Sequence, residues 1–208
     1  MSRHVADRPA VAGQTDAQAA WIRAAAYVTA LIALATVSGT VAAIGADPWG
    51  LTGTPGWWPA VTFYLAVVII GYVVIWPRGT WTFGRPLVLP DTLLFGAAWG
   101  LAEGLLFATV WRGVDAAIVS AALAVAVAFV VLSAYVGLVH ALWWDRVVAP
   151  PHNNPAWNLR KVLGAHVPNL LVGLIVVAKY DALGVLVLAQ VIALISSSLA
   201  MRMPSPRT

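Results

Sequence analysis

The chain has 208 residues, of which 61% are hydrophobic and only 10% charged, with a formal net charge of +4 and a mean hydropathy of +0.85. Ordinary soluble domains carry about 25% charged residues, so this composition excludes a soluble fold and points to a polytopic membrane protein. The absence of cysteine excludes disulfides, thiolate metal sites, iron–sulfur clusters and cysteine nucleophiles.

Residues 1–19 are polar, with Arg3, Asp7, Arg8 and Asp16, and read as a disordered cytoplasmic tail. The uncharged run from Arg23 to Ala46 is too long for the core of a signal peptide, about 7–15 residues, and reads as a retained first span. A helix needs about 20 apolar residues to cross a hydrocarbon core. Charges cut the chain into pieces of that size, predicting spans at 22–45, 58–76, 92–111, 116–143, 162–179 and 182–201. Residues 20–202 then form a six-helix transmembrane domain, with 203–208 a second cytoplasmic tail.

Basic residues test that order. With the N-terminus inside, Arg3, Arg8, Arg23, Arg78, Arg85, Arg146, Arg160, Lys161, Arg202 and Arg207 are cytoplasmic, and only Arg112 and Lys179 are outside. This asymmetry follows the positive-inside rule and predicts both termini in the cytoplasm. Tryptophans fall at the predicted span ends, where indoles favour the headgroup level; Trp99 alone lies inside a span. The Ala/Val/Gly-rich spans suit a bacterial cytoplasmic (inner) membrane. Between spans 4 and 5, Asn154-Pro155 fits an N-cap followed by proline at the first helical position. A short interfacial helix ending at Gly164 is predicted there. The alternative is one long helix from Pro155, kinked at Pro168. The segment 144–164 is also a candidate docking surface for a protein partner. Lys179 and Asp181, flanking Tyr180, are expected to pair or snorkel.

Glu103 is the chain's single glutamate and falls in the middle of span 3. A carboxylate at that depth is costly unless it is protonated, paired or hydrated, and intramembrane acids are functional by default. Trp99 and Phe107, at i−4 and i+4, put an aromatic wall on its helix face. Gly96, Gly100 and Gly104 form a stripe at spacing four that lets a neighbouring helix approach closely. His140, near the inner end of span 4, and His166 with Asn169, at the start of span 5, complete a predicted cluster on the cytoplasmic side.

Three mechanisms fit these residue types. Glu103, His140 and His166 suffice to hold one divalent ion of zinc type with an open position. His140 and His166 on adjacent helices suffice for a single haem b. Without a metal, Glu103 serves as acid or base, with His140, His166 and Asn169 orienting the substrate; Trp99, Phe107, Trp144 and Asn158 are the candidate substrate-binding residues. The order Glu103, His140, His166-x-x-Asn169 over three spans resembles the CAAX-protease-like family in outline. That family has paired glutamates followed by an arginine at helical spacing, whereas Glu103 is single, so its function is not carried over.

Other chemistries lack their residues. No Walker loop, GxSxG, GxGxxG, HExxH or HxxxH occurs, and four histidines are too few for a membrane di-iron site. Gln190 and Ser196, Ser197 and Ser198 read as helix-packing hydrogen-bond groups. The expectation is a small integral-membrane enzyme acting on a hydrophobic, lipid- or isoprenoid-like substrate, with membrane lipids and no nucleic acid as partners. The alternatives are a non-catalytic subunit or anchor of a larger complex, and a proton-coupled transporter component.

Overall fold

In hydrocarbon, backbone polar groups must be satisfied within the protein, and a helix does this inside each segment. The computed structural model describes residues 11–79, 86–139, 159–203 and 205, and among them the regular structure is all helical, with no strand. Helix α1 is Val11–Val37, α2 Thr40–Ala46, α3 Trp57–Arg78, α4 Leu89–Ala117, α5 Ala121–Val139, α6 Leu159–Tyr180 and α7 Leu183–Met201. Helices α3 to α7 are each long and apolar enough to cross a membrane, which gives five spans, or six if α1 and α2 count as one.

The first predicted span is broken. Helices α1 and α2 meet at 71° around Gly39, whose φ of 72° lies in the left-handed region that glycine enters without a Cβ penalty. Polar groups from α4 hold the break. Arg112 Nη1 donates to Ser38 O at 3.4 Å and to Thr40 Oγ1 at 3.3 Å, and Thr109 Oγ1 donates to Thr40 Oγ1 at 3.1 Å. Arg112 therefore satisfies a carbonyl that the end of α1 leaves without an intrahelical donor. Helix α1 begins at Val11, inside the segment read from sequence as a disordered tail.

Helices α4 and α7 form the centre of the bundle. In each, 56% of the apolar stretch is buried, against 17% in α5. The glycine stripe explains the contact. A Cβ at Gly96, Gly100 or Gly104 would lie 2.6, 2.6 or 2.7 Å from the Cα of Ile195, Val191 or Val187, so the two backbones touch along three turns.

Two π-helical turns, Ile70–Ile75 in α3 and Val162–His166 in α6, pack on one another. Gly71 faces Ala165 and Gly164 faces Ile75. Each turn is followed two residues later by a proline, Pro77 or Pro168, at the start of the resumed α-helix. The prediction that a short interfacial helix ends at Gly164 is corrected: α6 runs unbroken from Leu159 through Gly164 and Pro168 to Tyr180. The widened turn places Pro168 where resumed helical geometry tolerates it, and Gly164 serves close packing instead of termination. Residues 140–158, with the proposed N-cap at Asn154, lie outside the described residues.

The loop 47–56 folds onto the α6–α7 turn. Leu51 N donates to Tyr180 O at 2.7 Å, and Gly184 N donates to Pro48 O at 2.8 Å. Asp181 turns the chain there at a φ of 53°. Lys179 does not pair with Asp181 but lies over the Tyr180 ring, 5.1 Å from its centroid. Beyond α7, Met203 and Ser205 are buried and the Ser205 hydroxyl donates to Asp91, so Ser205, in the segment read as a cytoplasmic tail, is tied to the start of α4.

Candidate functional site

Glu103 lies fourteen residues from each end of α4 (Leu89–Ala117), about 21 Å at 1.5 Å per residue, and is therefore the helix's midpoint. It is 9% exposed. Its residual exposure faces a narrow cavity that it shares with Trp99 and Phe107, one turn before and one turn after it, and with His166, Asn169 and Gln190. No hydrogen bond from a described residue reaches its carboxyl. The cavity has a volume of about 30 Å³, room for about two water molecules.

The opposite wall is a hydrogen-bonded lattice carried by α3, α6 and α7. Asn169 and Gln190 form a reciprocal amide pair: Gln190 Nε2 donates to Asn169 Oδ1 at 3.2 Å, and Asn169 Nδ2 donates to Gln190 Oε1 at 3.3 Å. The Tyr64 hydroxyl donates to the same Asn169 oxygen at 3.0 Å, which fixes which way the amide faces. Each amide nitrogen carries two protons and spends one in the pair; tyrosines extend the network, Tyr64 hydrogen-bonding to Gln190 and Tyr72 to Asn169.

His166 is held from the side of α3. Its Nδ1 shares a hydrogen bond of 3.0 Å with the Tyr72 hydroxyl, and its ring meets Trp76 edge-on at 5.0 Å. Tyr72 and Trp76 stack at 5.7 Å. Lys161 Nζ lies over the Trp76 ring, 4.6 Å from its centroid.

The structure thus brings together five of the residues singled out from sequence: Glu103, His166, Asn169, Trp99 and Phe107. The remaining three, His140, Trp144 and Asn158, lie outside the described residues. Sequence reasoning missed Tyr64 and Tyr72 and assigned Trp76 to the headgroup level, although it is buried. Their signal was present: Tyr64, Val68, Tyr72 and Trp76 repeat at spacing four, one face of a helix. Gln190 does make the interhelical hydrogen bond expected of it and also lines the cavity. Ser196 and Ser197 bond the carbonyls of their own helix one turn back, not a neighbouring helix.

Among the described residues no three His, Asp or Glu side chains gather to hold a metal ion; Glu103 and His166 line the same cavity, and the third proposed ligand, His140, is not described. The cavity beside His166, about 30 Å³, is too small for a haem. The chemistry present is a carboxyl facing a water-sized space, an anchored imidazole, and a tyrosine–amide network beside them. Comparison with protein-family models, curated proteins and solved structures finds no match to the chain.

Proposed function

We propose that this chain is a small integral-membrane enzyme that acts on a hydrophobic, lipid- or isoprenoid-like substrate, with Glu103 as its proton-transferring group. In this reading it lies in a bacterial cytoplasmic membrane with both termini inside. One observation carries it: the mid-membrane Glu103 carboxyl faces a water-sized cavity without a hydrogen bond from a described residue, opposite His166, Asn169 and Gln190. A carboxyl kept at that cost beside groups that orient water or a substrate oxygen matches general acid–base catalysis. Glu103 moves the proton, and His166, held by Tyr72, orients water or the substrate oxygen beside it. The cavity's small volume favours one further reading, a proton-coupled transporter component in which water and Glu103 relay a proton.

The test compares membranes of a bacterial host making the wild-type chain or Glu103→Gln at equal folded abundance. Mass spectrometry of total lipid extracts is expected to find a species formed or consumed only with wild type. Identical extracts, together with pH-driven flux in proteoliposomes that Glu103→Gln abolishes, would replace the enzyme reading with the transport one.

A further inference from the structure

A second cavity opens between α1 and α4, beside the first and sharing Trp99 with it. Trp21, Ala25 and Thr29 on α1 and Leu94, Ala98 and Trp99 on α4 line it, and its volume is about 290 Å³, close to the lower end of the range of about 300–1,000 Å³ typical of small-molecule sites. Alanines form the floor between aromatic rims. Trp21 meets Phe95 edge-on at 5.4 Å, Phe95 is parallel to Trp99 at 6.0 Å, and Tyr27 stacks on Trp99 at 4.1 Å.

We infer that this groove seats one hydrocarbon chain of a membrane lipid, with the chain end against Trp99. Three features select that occupant. The groove is apolar except for Thr29 and belongs to helices of membrane-spanning character, so its surroundings are acyl chains. From Trp21 to Thr29 it runs eight residues, about 12 Å along the helix, which matches one leaflet, about half of a 30 Å core. A helix with its side chains is about 10–12 Å across and does not enter a space of this size. Leaving the bilayer gains a chain no hydrophobic free energy, since lipid tails are as apolar as leucine. Retention comes from close packing against a preformed slot, whereas Leu123, Val130 and Val131 protrude from the outward face of α5.

The consequence reaches the polar site. Trp99 lines both cavities, so one ring separates the lipid chain from the space beside Glu103. Tyr27, stacked on Trp99 at 4.1 Å, and Phe95, parallel to it at 6.0 Å, hold that ring in place between the two.

The inference does not depend on Glu103 being catalytic, and its test is independent. The full chain is placed in phosphatidylglycerol–phosphatidylethanolamine nanodiscs with a trace of phospholipid bearing a diazirine at the end of one acyl chain. After photolysis, peptide mapping is expected to find several-fold more label on residues 21–29 and 94–99 than on the exposed face of α5. Ala25→Phe fills the groove from an exposed position that carries little folding risk, and Ala98→Phe fills it from α4. Both are expected to lower groove labelling to the α5 level while leaving α5 unchanged, and Glu103→Gln to label like wild type. Wild-type labelling at the α5 level, labelling unchanged by Ala25→Phe, or photocrosslinks to a second protein chain at these segments would overturn the inference.

Discussion

Replacing Gly100 by alanine tests the central packing claim. The new Cβ would lie 2.6 Å from Val191 Cα and 2.7 Å from Gln190 O. Carbon atoms rest about 3.5–4.0 Å apart, so α7 must retreat from α4 by about 1 Å. Both obstructing atoms are backbone, and no rotamer change absorbs the clash. Overpacking of this kind costs about 1–3 kcal/mol, and alanine's higher helix propensity returns at most about 1 kcal/mol. With the full offset the expected net loss is about 0–2 kcal/mol, whereas an alanine that meets no clash gains stability. The same retreat relieves Gly96 and Gly104, so a triple alanine variant loses much less than three single losses combined. Reversible unfolding by SDS in mixed micelles, followed by far-UV circular dichroism, measures these differences. Gly113→Ala on the same helix is the control, because nothing lies within 4 Å of its added Cβ. Equal stability of Gly100→Ala and Gly113→Ala, or additive losses in the triple variant, would refute the close α4–α7 contact.

Topology is open to direct labelling because the chain has no cysteine. With both termini inside, Thr52→Cys is expected to react with a membrane-impermeant maleimide from outside intact cells and Arg78→Cys only after lysis; the opposite pattern would invert the orientation. At the α6–α7 turn, partial burial and the neighbouring Asp115 and Asp47 push the Asp181 carboxyl above its ordinary range, with Arg112 opposing. The folded state therefore binds the Asp181 proton more tightly than the unfolded state, and stability falls as pH rises from about 4, the ordinary aspartate pKa, through the raised value, then levels off. Asp181→Asn keeps a residue suited to the left-handed φ and is expected to flatten that slope and raise stability at neutral pH, measured by thermal unfolding between acid and neutral pH. An unchanged slope would assign the dependence to another group.

Much of the architecture follows from one local rule, that an uncharged apolar run of sufficient length must become a helix in hydrocarbon. The five spans α3 to α7 overlap the segments predicted from charge spacing because each helix satisfies its own backbone. Glu103 was legible for a related reason: a lone acid in an apolar run needs no partner's coordinates to be costly. The glycine stripe likewise announced a close neighbour, because small residues at spacing four leave a groove on one helix face.

Sequence did not identify which helix fills that groove, since Ile195, Val191 and Val187 are as apolar as most alternatives. It did not foresee the break at Gly39, where an uncharged run reads as continuous and contacts from Arg112 and Thr109 on α4 hold the bend. The paired π turns were also hidden: Gly164 and Pro168 read locally as a helix end, and packing against Gly71 and Ile75 carries the helix through. Tyr64, Tyr72 and Gln190 entered the site only through contacts to residues 105, 94 and 21 positions away. Local chemistry thus determined the spans and the buried acid, because each depends on a segment's own solvation. The tertiary structure decided what faces that acid, because pairing between distant segments depends on shape that no single segment encodes.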